Sequence, residues 1–457
     1  MPQTTYNSMS SQEPIWTQVV CDPESPFSDS ENEIKIRMSN KSKGLSVLAT
    51  AIFIAGEMAG SGVLALPKAV VDSGWIGIIL LIVFCFNAGY SGSCLGACWY
   101  ILEERYPELR RKTRNPYGTI AQKSFGKYAR YLVSGCIQFT LCGAGTVYLL
   151  LASQIIQELL NDILPSVSYC YWFLLIAALL LIPMWLESPK DFRAAGVIAI
   201  STTTIACILF FSQTIKDGLS KTEPIVHYKH DFSDFFLAFG TLLFAFGGAS
   251  TFPTIQNDMQ DKKKFGYSIV IAFSVIIALY LPVALSAYYV YGEDLFPNVA
   301  MSISKSIPLT IGNICMAVHL VFAFLIVINP VCQELEEIFK VPHVFCWQRC
   351  LLRSFMMIFM VFVGESIPQF GKILSLVGGS TITLLTFVFP PIFYMKLCSQ
   401  KSEQWPERKI PGYIKVYLWE LILIGILGGG ASTYTAITDI FGPGSLIKPC
   451  YLPDHSQ

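Results

Sequence analysis

Charge is scarce in this chain. Only 14% of its 457 residues are Asp, Glu, Lys or Arg, against roughly 25% in an ordinary soluble domain. So little charge cannot coat the surface of a water-soluble protein of this length. Acidic and basic residues balance at 32 each, so no bulk field recruits nucleic acid. Histidine is scarcer still, at five, and His319 is the one that falls inside an apolar run. An intramembrane enzyme would need a nucleophile with a base, or a His/Asp/Glu metal cluster at depth, and neither pattern occurs. There is no C-x-x-C pair among the 14 cysteines. Cys85, Cys94, Cys98, Cys136, Cys142, Cys207 and Cys315 lie in apolar runs, where a thiol behaves as a small hydrophobe. A disulfide framework is thereby excluded. The polar, Ser-rich start shows no cleavable signal peptide. The ten-residue alternating segments of a membrane β-barrel are also missing.

What is abundant is apolar sequence: 53% hydrophobic residues and a mean hydropathy of +0.52. Residues 1–44 read as a disordered cytosolic tail. Apolar runs long enough to cross a bilayer, about 20 residues each, follow at 46–72, 75–102, 129–159, 169–186, 194–216, 234–256, 266–290, 308–333, 345–363, 370–397 and 414–441. Backbone groups in lipid must be satisfied internally, so these eleven are expected to be helices. The expectation is an all-α integral membrane protein with a transmembrane domain at 45–441 and a short extracytosolic tail at 442–457. With the N-terminus in the cytosol, 25 of the 32 Lys and Arg fall on the inner side and six on the outer, as the positive-inside rule requires. The segment 103–130 holds eight of them: Arg105, Arg110, Arg111, Lys112, Arg114, Lys123, Lys127 and Arg130. It is a solvated inner loop, or a binding patch. The six outer cations are Lys216, Lys221, Lys229, Lys305, Lys372 and Lys448.

Two spans are interrupted. The first contains Glu57-Met58-Ala59-Gly60-Ser61-Gly62-Val63-Leu64-Ala65-Leu66-Pro67. The sixth contains Phe246-Gly247-Gly248-Ala249-Ser250-Thr251-Phe252-Pro253. The sixth span runs opposite to the first, so the breaks occupy matching places in two inverted five-helix halves. Paired Gly/Pro-interrupted spans of this kind point to a transporter substrate site near the midplane. Free backbone N–H and C=O groups at such depth are tolerated where they line a cavity or meet a ligand. A half-helix starting near Val63 offers N–H groups to an anion, and carbonyls near Met58 to Gly60 suit a cation. The candidate substrate-binding residues are Gly60, Ser61, Gly62, Val63, Gly247, Gly248, Ala249 and Ser250. The plainer reading of either break is a packing kink or a small-residue helix contact.

The stretch Gly-Ser-Gly-Val-Leu-Ala-Leu-Pro-Lys-Ala, followed by Gly74-Trp75, resembles the first-helix signature of the amino acid/auxin permease family, the transmembrane amino acid transporters. Gly247-Gly248 with Thr251-Phe252-Pro253-Thr254-Ile255-Gln256-Asn257-Asp258-Met259 resembles that family's sixth-helix signature. The resemblance covers residues 45 to about 441. It implies a LeuT-like five-plus-five inverted repeat with an added C-terminal helix. It also implies secondary active transport of neutral amino acids, usually coupled to protons or sodium.

Charged groups at membrane depth are costly and usually functional. Glu57 lies one turn before Gly60, where a carboxyl could bind and release a proton or anchor the unwound turn. His319, central in the eighth span, is a second candidate for proton coupling, or a satisfied core residue. In related sodium-coupled folds, hydroxyls of the eighth span help hold the ion. Here Ile311 to Glu334 contains no Ser or Thr, although Ser201, Thr202, Thr203 and Thr204 stand in the fifth span. Protons are therefore favoured over sodium, and no metal or organic cofactor is expected. Tyr148, like Thr146, sits near mid-helix in the third span. It could hydrogen-bond a substrate carboxylate, or be a core aromatic bonded to backbone. Lys68 is expected to snorkel to the outer interface. Asn257, Asp258, Gln260 and Asp261 could form an inner gate with the basic loop, or simply end a helix. Cys170 and Cys450 both map to the outer side, which leaves a disulfide open. Asn40-Lys41-Ser42 is on the cytosolic side and should not be glycosylated, and Tyr6-Asn7-Ser8-Met9 matches a short sorting pattern.

The expectation is thus a small neutral amino acid as partner and the bilayer as solvent. The alternatives are a sensor of the same fold with little flux, a sodium symporter and, with no filter or polar ring to support it, a channel. Plasma membrane and endolysosomal or vacuolar membrane fit the topology equally.

Overall fold

The computed structural model describes residues 44–110, 113, 115–186, 192–221, 224–228, 231–342, 346–442 and 449–451. The expected tail over 1–43, with its sorting pattern and Asn40, lies outside the described residues. So do Arg111, Lys112, Arg114, Lys229, Lys448 and most of the C-terminal tail.

The described chain is helical. In order come α1 (Val47–Met58), α2 (Ser61–Asp72), α3 (Trp75–Arg105), α4 (Pro116–Phe125), α5 (Lys127–Leu160), α6 (Tyr169–Trp185) and α7 (Phe192–Ser220). Then follow α8 (Phe232–Ala245), α9 (Phe252–Asn257), α10 (Phe265–Tyr291), α11 (Ile307–Ile338), α12 (Trp347–Ser366), α13 (Phe370–Val377), α14 (Phe389–Ser399) and α15 (Gly412–Phe441). Every one of the eleven expected runs coincides with a helix or a broken helix. Among the described residues, seven helices are long and apolar enough to cross a membrane, and α1 with α2 make an eighth as a bent pair. The other three runs fall short for local reasons. Helix α6 has 17 residues. Helix α8 stops at 14 residues and resumes as the six-residue α9. Helix α12 carries Arg349, Arg353 and Glu365.

The surface matches a lipid solvent. Phe86, Ile182, Phe355, Trp419 and Leu427 are exposed, and in water so many large apolar side chains would be an aggregation liability. Inside, Trp99, Phe84, Phe246, Phe252, Phe324 and Tyr280 are fully buried. Helix α1 packs on α7 and α10, α2 on α8 and α10, and α11 on α5 and α7. The first broken span is therefore walled by α7, α8 and α10, and the sixth packs on α2, α13 and α15.

Helix α1 is capped by Ser46, whose hydroxyl accepts from the Ala49 N–H at 3.2 Å. Just before it, Leu45 pairs with the segment after α9. Its N–H donates to the Asp258 carbonyl at 2.8 Å, and its carbonyl accepts from the Gln260 N–H at 3.0 Å. The Ser268 hydroxyl on α10 donates to the Val47 carbonyl at 3.0 Å. The start of the first span and the end of the sixth are thus tied together by backbone.

Between α13 and α14 the chain widens into π turns at Gly378–Ile382 and Leu384–Val388. A π turn displaces carbonyls from the regular helical ladder. Side chains take several of them. The Tyr117 hydroxyl donates to Leu385 at 2.6 Å, Ser91 donates to Thr386, and Thr383 donates to Gly378 at 2.7 Å.

Candidate substrate and coupling site

Helix α1 ends at Met58 and α2 begins at Ser61, and the two are bent by 60°. In the sixth span, residues 246–251 leave the helix between α8 and α9. The breaks lie side by side. A Cβ added at Gly62 would fall 3.0 Å from the Ala245 Cβ, and one at Gly248 would fall 2.5 Å from Met58 Cγ. Glycine permits this approach because it has no Cβ.

One tyrosine holds the two broken ends. Tyr280, fully buried on α10, donates its hydroxyl to the Met58 carbonyl at 2.9 Å and reaches the Ala245 carbonyl at 3.4 Å. These are the last residues of α1 and α8. Both helix ends have carbonyls outside the regular ladder, and the hydroxyl's one hydrogen goes to the nearer Met58 carbonyl, with Ala245 a longer contact.

Glu57 crosses from the first span to the sixth. The Thr251 hydroxyl lies 2.8 Å from Glu57 Oε2. Both residues are half-buried, whereas Tyr148, His319 and Tyr280 around them are buried. Tyr148, on α5, is buried beside Glu57 and Ser61. Thr146 donates instead to Cys142 in its own helix at 3.0 Å.

His319 faces the first break from α11. Its Nδ1 is 2.9 Å from the Thr203 hydroxyl and 3.2 Å from the Ala199 carbonyl, both on α7. A carbonyl only accepts, so this second bond puts the proton on Nδ1 and leaves Nε2 as an acceptor. Among the described residues Nε2 has no hydrogen-bond partner, and a Cβ added at Gly60 would sit 2.2 Å from it.

All eleven site residues expected from the sequence therefore lie on or beside the two breaks. Gly60, Ser61, Gly62 and Val63 form the turn and the start of α2, while Gly247, Gly248, Ala249 and Ser250 form the sixth-span break. Glu57, Tyr148 and His319 contact or flank them. Sequence reasoning missed Tyr280 and Ile382, whose Cδ1 would lie 2.6 Å from a Cβ at Gly247, and considered Thr203 for an ion rather than for His319. A polar residue amid the apolar seventh span was the available signal for Tyr280, but nothing local says which helix it faces.

The residues considered for an inner gate have partners at the end of the sixth span. Lys262 bonds Asn257 Oδ1 at 2.6 Å and pairs with Glu103 at the end of α3. Asp258 and Gln260 engage Leu45 through backbone, and Asp261 accepts from the Lys263 N–H at 3.2 Å. Among the described residues of 103–130, Glu103 is one side chain that meets this segment. Lys68 pairs with Asp72 at 3.0 Å. Cys170 and Cys450 form a disulfide. Among the described residues, the one group with metal-ligand spacing is Cys170, Glu365 and Cys450, and its two sulfurs are joined to each other.

Two discontinuous helices that meet in the core of an apolar bundle define a membrane transporter rather than an enzyme. Residues 43–438 match the family described as transmembrane amino acid transporter protein, and the chain belongs to that family. It is 24% identical over 394 residues to amino acid transporter AVT1D of Arabidopsis thaliana, covering 83% of this chain and 68% of that one. With AVT1H of the same plant the identity is 23% over 440 residues, covering 92% and 98%. Among solved structures, the Eremococcus coleocola manganese transporter matches with a TM-score of 0.54 at 13% identity, over 93% of this chain and 91% of that one. The inward-facing conformation of Mhp1 matches at 0.52 and 12%, over 87% and 90%. At such identities the likeness is one of fold, the LeuT-like transporter fold.

Proposed function

We propose that this protein is a proton-coupled secondary active transporter of small neutral amino acids. It is read with eleven membrane spans in a five-plus-five inverted repeat plus one helix, its N-terminus cytosolic and its C-terminus extracytosolic. The observation that carries the reading is the bond that Glu57 on the first broken span accepts from Thr251 on the sixth. A carboxyl at membrane depth that spans the two moving parts of the site is placed to link proton binding to substrate binding.

The amino acid would lie across Gly60–Val63 and Gly247–Ser250. Its carboxylate would meet the N-terminal end of α2, with Tyr148 beside it. Its ammonium group would meet carbonyls of the unwound turns. Gly60 and Gly248 leave little space beyond backbone, which favours a small, uncharged side chain. Glu57 would carry the coupling proton, with His319 as the second ionisable group at the break. The Thr203 hydroxyl, which a sodium site would draw from the fifth span, is turned to His319, and this supports protons over sodium. Alternating access would follow from one half of the repeat rocking against the other.

Uptake of radiolabelled amino acids into proteoliposomes under an imposed pH gradient tests this. Gradient-driven accumulation that is lost in Glu57→Gln is the expected outcome. Flux that ignores pH and requires sodium would overturn the coupling. Binding without flux would favour the sensor.

A further inference from the structure

Thr251 stands between two acceptors. Its Oγ1 is 2.8 Å from Glu57 Oε2 and 3.0 Å from the Gly248 carbonyl. A threonine hydroxyl has one hydrogen to donate, so it serves one acceptor well or both poorly. Which one it serves depends on Glu57. An ionised carboxylate only accepts, and a charge-assisted hydrogen bond is the stronger kind. The Thr251 hydrogen then points to Glu57, and the Gly248 carbonyl loses that donor. A protonated carboxyl has a hydrogen of its own. It donates to Thr251 Oγ1, and the Thr251 hydrogen turns to Gly248. One proton is taken up at Glu57, no covalent bond breaks elsewhere, and a single hydroxyl rotates.

We propose that Thr251 is the residue that transmits the protonation of Glu57 into the unwound stretch of the sixth span. The inference rests on Glu57 as the coupling group, and it names the device that reads it. Gly248 and Thr251 are already joined by a backbone bond, Thr251 N–H to Gly248 carbonyl, at 3.2 Å. The hydroxyl bond is a second tie across the same turn. Protonation of the first span thus tightens the turn 248–251, which borders the substrate residues Gly248, Ala249 and Ser250. Deprotonation loosens it and redirects the hydroxyl to the first span.

The surroundings suit such a switch. Among the described residues, no lysine or arginine bonds Glu57, so no fixed cation holds it ionised. Tyr148 of α5 is the titratable group that faces it. His319 of α11 and Tyr280 of α10 face the next turn, at Gly60 and Met58. Helix α7 meets this part of α1 through Gly196 and Ile200, and α9 is approached through Thr251 at its start. Thr251 is a positioning residue here. It acts through Glu57 and the turn, and the substrate contacts belong to its neighbours.

The test compares wild type, Thr251→Val, Thr251→Ser and Glu57→Gln in proteoliposomes. The probes are radiolabelled alanine, serine, proline and leucine. With one proton per amino acid, a gradient of about one pH unit sustains roughly tenfold accumulation. The proposal expects Thr251→Val to bring that ratio to about one while probe exchange without a gradient persists. Thr251→Ser should restore accumulation, because it returns the hydroxyl. Wild-type accumulation and pH profile in Thr251→Val, with Glu57→Gln uncoupled, overturn the switch and leave Glu57 as the coupling group. Wild-type coupling in Glu57→Gln overturns the proposed function itself. A second readout needs no flux. A pH jump monitored by infrared difference spectroscopy gives a protonated-carboxyl band that Glu57→Gln removes. Thr251→Val must shift that band, and Thr251→Ser must return it. An unshifted band overturns the proposal even if no probe is transported. Thr251→Ala replaces the Val variant if the latter does not reach the membrane.

Discussion

The Tyr280 hydroxyl lies 2.9 Å from the carbonyl of Met58. It joins the seventh span to the last residue of helix α1, and its 3.4 Å approach to Ala245 extends the link to α8. The end of α1 is therefore held by this hydroxyl, which also lies against the end of α8. Tyr280→Phe removes the donor and keeps the ring. A buried acceptor left without its donor costs about 1–3 kcal/mol. We expect a lower unfolding temperature in detergent and slower exchange of bound amino acid. A variant with unchanged melting and transport would show that the Met58 and Ala245 carbonyls do not need it.

The glycines at the two breaks should differ in tolerance. Gly60→Ala places a methyl carbon 2.2 Å from the ring nitrogen of His319, and that ring is fixed by Thr203 and Ala199. Gly248→Ala meets Cγ and Sδ of the unbranched Met58 side chain at 2.5 and 2.6 Å, and this side chain can turn aside. Overpacking of a rigid neighbour costs about 1–3 kcal/mol. Transport should be abolished in Gly60→Ala and reduced in Gly248→Ala. In a double variant with His319→Ala, Gly60→Ala should regain stability. Equal loss in the two single variants would contradict the distinction.

The disulfide between Cys170 and Cys450 offers a test of topology. It lies on the side opposite the N-terminal tail if the proposed orientation holds. In sealed vesicles whose tail is cut by added protease, an impermeant reductant should leave the disulfide intact. Cleavage and reduction from the same side would invert the assignment of one terminus. Replacing both cysteines with serine should also lower thermal stability, by about 2–4 kcal/mol on the usual scale for a native disulfide.

A buried ionic cluster should prove more fragile than any surface pair. Glu336 on α11 pairs with Arg353 at 2.7 Å and Arg349 at 3.3 Å, and all three are buried. Arg353 also donates to the Met184 carbonyl at the end of α6, at 2.6 Å. Removing one partner leaves buried charge uncompensated, at a cost of about 3–5 kcal/mol. Glu336→Ala should therefore collapse the folded yield measured by size-exclusion chromatography. Lys401→Ala, which breaks an exposed pair with Glu407, should leave that yield near wild type.

Much of the site was legible in the sequence, but unevenly. Gly60 and Gly247 interrupt apolar runs, so the breaks could be placed to within a residue or two. Glu57 and His319 were visible because ionisable groups are costly at depth. Thr251 carries no such signal, since a threonine at a helix start has many local uses. At the inner face the sequence leaves a gate with the basic loop and a plain helix end equally open, and the structure adds that Asn257 is joined through Lys262 to Glu103. The disulfide could be framed as a choice and not decided, because 280 residues separate its ends.

From the sequence by itself follow the membrane class, the run of helices and the two interruptions. Each depends on local composition: an apolar stretch in lipid must bond its own backbone, and glycine with proline disturbs that ladder nearby. Only the tertiary structure decided the partners: Glu57 with Thr251, Tyr280 with Met58, His319 with Gly60 and Thr203, Leu45 with Asp258 and Gln260. These contacts join helices far apart in the chain. They depend on which face each helix turns inward and how deeply it is set, and side-chain direction of that kind is fixed by packing among helices rather than by any one segment.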